Sequence, residues 1–104
     1  MLRRALVVHP ADNVANALED VAAGEAIAAR SGPATVELAA VEAIPFGFKV
    51  ALADVPVGGE VRKYGEVIGR ASQAIRRGAL VHVHNLEGAR GRGDLARAET
   101  EAKR

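Results

Sequence analysis

His82 and His84 stand two residues apart in Val81-His82-Val83-His84-Asn85, and on an extended strand that spacing points both imidazoles to one side. Imidazole ligates transition metals and carries a proton near neutral pH, so the pair is read as a site of metal contact or proton transfer. Two histidines fall short of a structural zinc site, which needs further ligands from water, an acid or a partner. A pair of hydrogen-bonded or surface histidines is the plainer reading of the same spacing. Asn85 follows with an amide suited to a hydroxyl or a carboxylate. Upstream, Lys63-Tyr64-Gly65 offers a mobile positive charge, an aromatic face with a hydroxyl, and a glycine that lets the backbone turn or approach a ligand closely. A snorkelling lysine beside a partly buried tyrosine is the structural alternative. His9, just before Pro10, is a weaker ligand candidate near Asp12 and Asn13, which read either as a helix cap and turn or as ligand contacts.

The elements that position these groups are short. Leu2 to His9 reads as a strand stopped by Pro10. Asp12 as N-cap, followed by Val14, Ala17, Leu18 and Val21 on one face and Gly24 as terminator, predicts a short helix. Glu25 to Ile44 reads as short β segments around a Gly32-Pro33 turn. Phe48, Val50 and Leu52 alternate with Lys49, Ala51 and Ala53 as a half-buried strand. Pro56-Val57-Gly58-Gly59 is a turn, with Val61 to Tyr64 pairing back across it. Glu66 to Arg70 is a strand or strand-turn, Ser72 to Arg77 one helical turn or an extended piece, and Leu80 to Val83 a terminal strand carrying His82 and His84. Frequent glycines and short runs predict a compact, mainly β fold with one short helix.

Composition narrows the function. A chain of 104 residues with 49% hydrophobic but only 3% aromatic content is one domain whose core rests on Val, Leu, Ile and Ala. Net charge is +1, without the dominant positive field of a protein that neutralises nucleic-acid phosphates, so no nucleic-acid partner is expected. Arg90 and Arg92, in the run Gly88-Ala89-Arg90-Gly91-Arg92-Gly93, lack an aromatic platform for RNA, and the run lacks the Lys-Ser/Thr ending of a phosphate loop. There is no cysteine, hence no disulfide, thiolate chemistry or cysteine-ligated metal. No apolar run is long enough to cross a membrane or form a secretory core, and the expected location is cytoplasmic.

Four stretches in order carry a resemblance: Asp12-Asn13-Val14-Ala15, Ile44 to Leu52, Val61 to Gly69, and Val81-His82-Val83-His84-Asn85. Together they resemble the amino-terminal SAF-type domain of the altronate and galactarate dehydratase family, which also occurs as the small subunit of sulfolactate sulfo-lyase. The resemblance implies a compact SAF-like β-clip over residues 1–88, with a polar C-terminal extension over residues 89–104 that contacts a partner or is flexible. It implies a small accessory subunit of a hydro-lyase-like enzyme acting on a sugar acid or related hydroxy acid, or of a carbon–sulfur lyase. A separate large catalytic subunit would bear most of the machinery, with further copies of this chain a second kind of partner. The other reading is a non-catalytic module that binds a carbohydrate acid or assists assembly. The family implies a divalent metal in the complex, Fe2+ or Mn2+. On this reading His82, His84, Lys63 and Tyr64 are catalytic, His82 and His84 are metal contacts, and Asn85, Lys49, Asp12 and Asn13 bind substrate. One departure bears on catalysis: the family usually reads Gly-His-Lys where this chain has Gly47-Phe48-Lys49, and a phenyl ring neither ligates a metal nor carries a proton.

Overall fold

The computed structural model describes Leu2 to Gly88, so the readings placed on residues 89–104, among them Arg90, Arg92 and the polar extension, lie outside the described residues. Nine strands form two sheets. They are β1 (Leu2–Leu6), β2 (Val14–Ala17), β3 (Ala26–Ser31), β4 (Ala34–Ala39), β5 (Lys49–Ala51), β6 (Glu60–Lys63), β7 (Glu66–Ala71), β8 (Leu80–Val81) and β9 (Leu86–Gly88). The larger sheet runs β4-β3-β1-β2-β5-β8, with β1 and β3 parallel and the other neighbours antiparallel; the smaller runs β6-β7-β9.

The described residues contain no helix, which corrects the expected short one. Val14–Ala17 is instead an interior strand between β1 and β5. The reason lies in burial on both faces. Ala15 and Ala17 join a core with Ala5, Ile27, Ile44 and Val50, while Val14 joins a second core with Ala51, Val61, Ile75 and Val81. A strand covered on both faces loses its polar alternation, and its apolar residues then imitate helical spacing. Leu18, assigned to the buried face of that helix, is 39% exposed.

Four short turns punctuate the chain and reveal an internal duplication. Gly24, Gly47, Gly58 and Gly78 all have φ between 82° and 89°. In each turn the next residue donates its N–H to the carbonyl three positions back (Glu25 to Ala22, Phe48 to Pro45, Gly59 to Pro56, Ala79 to Arg76), and glycine is the residue that takes this conformation without strain. The turns work in pairs. Val21 and Ile44 exchange two backbone hydrogen bonds, as do Val55 and Ile75. Asp20 accepts the N–H of Phe46 in the partner turn, and Asp54 accepts that of Arg77, both at 2.8 Å. Between the paired turns each half carries one hairpin, β3–β4 or β6–β7, with a two-residue tip.

Candidate functional site

Lys63 ends β6 and Glu66 begins β7, directly across from it, so Tyr64-Gly65 is the hairpin tip. Val61 to Lys63 therefore pair with β7 rather than back across Pro56 to Gly59. Tyr64 and Gly65 both have positive φ, 62° and 75°, the geometry that suits a two-residue turn to the strand twist. For tyrosine that conformation is unfavourable, and Asp12 holds it. The buried Asp12 carboxylate accepts three backbone N–H groups, from His9 and Tyr64 at Oδ2 and from Gly65 at Oδ1, at 2.8 to 3.1 Å. Asn13 fastens the base of the same hairpin: its Nδ2 donates to the Glu60 carbonyl and its Oδ1 accepts from Arg62 N. Its amide thus mimics a strand residue between β2 and β6. The described hydrogen bonds of Asp12 and Asn13 therefore position the Lys63–Tyr64 tip.

Three side chains gather at that tip. The Lys63 ammonium lies 4.8 Å from the centre of the Tyr64 ring, and Tyr64 is 60% exposed. Lys49, on β5, is half-buried; burial pushes its pKa below the usual lysine value, the Lys63 charge pushes it further, and Tyr64 acts in the opposite sense. Neither lysine has an ion-pair partner among the described residues, although Glu66 faces Lys63 across the hairpin. His9 completes the group. Its exposed ring lies so close to Gly65 that a Cβ there would sit 3.0 Å from three ring atoms. Its Nδ1 accepts Ala11 N–H at 3.0 Å, which leaves the proton of the neutral ring on Nε2.

The histidine pair is arranged differently from the expected strand. β8 stops at Val81, and His82 to Asn85 form a turn, so His82 and His84 do not line one strand face. Asn85 makes the turn. Buried, it accepts His82 N–H at Oδ1 and donates from Nδ2 to the Leu80 carbonyl. His84 is exposed, and its carbonyl accepts from Gln73. The half-buried His82 packs edge-on against Phe48, with ring centres 4.7 Å apart. Lys49 pairs in register with Val81, so Phe48 and His82 lie one step further along on the opposite face. Lys49, Lys63 and Tyr64 thus form one group and Phe48 with His82 another. Among the described residues no cluster of three or more His, Cys, Asp or Glu side chains is arranged to hold a metal ion. His82 and His84 by themselves supply too few ligands for a metal centre among the described residues.

This is the geometry in which the comparison with known proteins is made. The altronate/galactarate dehydratase SAF domain matches residues 3–89. The chain belongs to that family. It is 46% identical over 76 residues to galactarate dehydratase (L-threo-forming) of Escherichia coli strain K12, covering 71% of this chain and 13% of that protein. It is 38% identical over 85 residues to (2R)-sulfolactate sulfo-lyase subunit alpha of Chromohalobacter salexigens, covering 78% of this chain and 90% of that subunit. With altronate dehydratase of Bacillus subtilis strain 168 it shares 38% identity over 80 residues, 77% of this chain and 15% of the enzyme. This SAF-domain chain therefore spans a small fraction of each dehydratase but nearly the whole of one lyase subunit. Among its described residues no helix is long and apolar enough to cross a membrane.

Sequence reasoning took Lys63 and Tyr64 together but had no reason from the residues to bring Lys49 to them, and it missed Asn16. That residue lies across from Lys49 in β2, and its buried Oδ1 has no hydrogen-bond partner. A polar residue amid Val14, Ala15 and Ala17 was the available signal, hidden because the segment read as a helix.

Proposed function

We propose that this chain is the small accessory subunit of a lyase that eliminates water, or sulfite, from a sugar acid or related hydroxy acid, and that it forms one wall of the substrate site. The observation that carries this reading is Lys49 and Lys63, two cations near enough to repel each other beside Tyr64, with no ion-pair partner among the described residues. A carboxylate supplies the missing charge. As the proton next to that carboxylate is removed, negative charge builds on its oxygens, and the two ammonium groups stabilise that charge more than they stabilise the ground state. Tyr64 donates its hydroxyl to a ligand oxygen. The base, and the departure of the leaving group, belong to a larger partner. Kinship with a sulfo-lyase subunit nearly as short as this chain supports a separate partner. His82 and His84 are too few ligands to hold a metal by themselves, and the steps given to this chain use its lysines and Tyr64.

The test is turnover of hydroxylated sugar acids by the chain alone and with its large partner. We expect none alone and restored turnover in the complex. Lys49→Met and Lys63→Met should each raise KM at least about tenfold, the scale of one charge-assisted hydrogen bond. Unchanged turnover after replacing both His82 and His84 by Ala removes them from the chemistry. Full activity of the isolated chain would sink the accessory reading.

A second reading, a non-catalytic module that binds the acid or assists assembly, is favoured by one contact. Phe48 fills a position where the family usually has an imidazole, and its ring occupies one side of His82. Phe48→His separates the two readings: a gain in kcat supports lost chemistry at this position, while an unchanged kcat supports packing alone.

A further inference from the structure

Asn16 is the register partner of Lys49 in β5 and of Leu6 in β1. Register partners share a face, so the Asn16 amide and the Lys49 ammonium stem emerge side by side. Among the described residues Lys49 has no ion-pair partner, and the buried Asn16 Oδ1 has no hydrogen-bond donor. An amide oxygen only accepts hydrogen bonds, and burying one unpaired carries a desolvation penalty. A plain β-former would fill this position of β2 without that penalty. An acceptor without a donor beside a cation without an anion is the complement of one ligand type, a carboxylate with a neighbouring hydroxyl.

We infer that Asn16 selects hydroxylated over unhydroxylated carboxylates, its Oδ1 accepting the ligand hydroxyl while Lys49 and Lys63 hold the carboxylate. This rests on the substrate wall proposed above. Half-exposed Leu6 and half-buried Lys49 flank the amide, and the Lys49 stem must move toward the bound anion for the ligand hydroxyl to reach Oδ1. Selection is strong because a ligand without the hydroxyl leaves the buried oxygen unpaired, whereas the hydroxylated one satisfies it.

The test is titration of the full-length chain with tartrate and with succinate, four-carbon diacids that differ in their hydroxyls, followed by NMR. The wild type should bind tartrate about tenfold more tightly, the effect of one hydrogen bond to a desolvated acceptor. Asn16→Val should bring the ratio to about one, leave succinate affinity unchanged and raise the melting temperature by removing the orphaned oxygen. Asn16→Thr, which keeps an acceptor oxygen on a β-former, should retain part of the preference. A ratio unchanged in Asn16→Val, or equal weakening of both probes, overturns this inference and leaves the substrate wall standing. If neither probe binds saturably, or if Lys49→Met with Lys63→Met leaves both affinities intact, the substrate wall falls and the role of Asn16 with it.

Discussion

Lys49 is the residue on which pH should act. Its ammonium is disfavoured by burial and by Lys63, so it loses its proton below the ordinary lysine range of about 10.4. Below its own pKa it is charged and attracts an anion; above it, it is neutral and does not. Anion affinity should therefore begin to fall on the acid side of that ordinary value, measured by titration with tartrate between neutral and alkaline pH, and Lys49→Met should remove this limb. For stability the sign is opposite to that of an ion pair. The folded state disfavours the charged form, so the penalty is present below the folded pKa and relieved as pH rises toward the unfolded value. The residue types at this tip were legible in the sequence: a lysine, a tyrosine and a glycine in a row announce a turn with a charge. That Lys49 joins them was not, because the approach depends on Asn13 tying β6 to β2, the neighbour of β5, a tertiary event without a local signature.

At the scale of elements, the hairpin β6–β7 is held by the side chains of Asp12 and Asn13 as well as by its own sheet. Asp12→Ala leaves three backbone donors without their acceptor, one of them on a tyrosine with positive φ. The expected loss is about 3 kcal/mol of unfolding free energy, read by urea denaturation. Amide exchange should speed up first from Lys63 to Glu66, and anion affinity should fall even with both lysines intact. The turn at Phe46-Gly47, the strand that follows it and the Gly32-Pro33 turn were readable because glycine, proline and alternation act locally. β2 was not. An aspartate before an apolar run reads as a helix cap, yet its carboxylate serves a hairpin 52 residues away. The strand assigned to His82 and His84 failed for a related reason. Asn85 bonds back to residues 80 and 82 and folds the chain into a turn that β-branched neighbours do not announce.

Residues 20–47 and 54–78 repeat one plan, each with an aspartate, a bridging Val–Ile pair, a hairpin and two glycine turns. Asp20 and Asp54 do the same work with different partners. Asp20→Ala and Asp54→Ala should each cost about 1 kcal/mol, and the double variant should cost their sum to within about half a kcal/mol, measured by thermal or urea unfolding. A much larger cost for one would mean that the halves do not share their stability evenly. The duplication was hidden from the sequence by unequal spacing: Val21 to Val55 is a step of 34 residues, Ile44 to Ile75 one of 31. It also leaves the two hairpin tips with unequal duties. One tip carries Tyr64 above Lys63. The other, Gly32-Pro33, is exposed, and a side chain added at Gly32 would meet open space. Exposed loop tips of this kind tolerate insertion best. The Gly32-Pro33 tip is therefore the place to graft a fluorophore or an affinity handle, an attachment that travels with the protein into its complexes without standing in the path of a ligand.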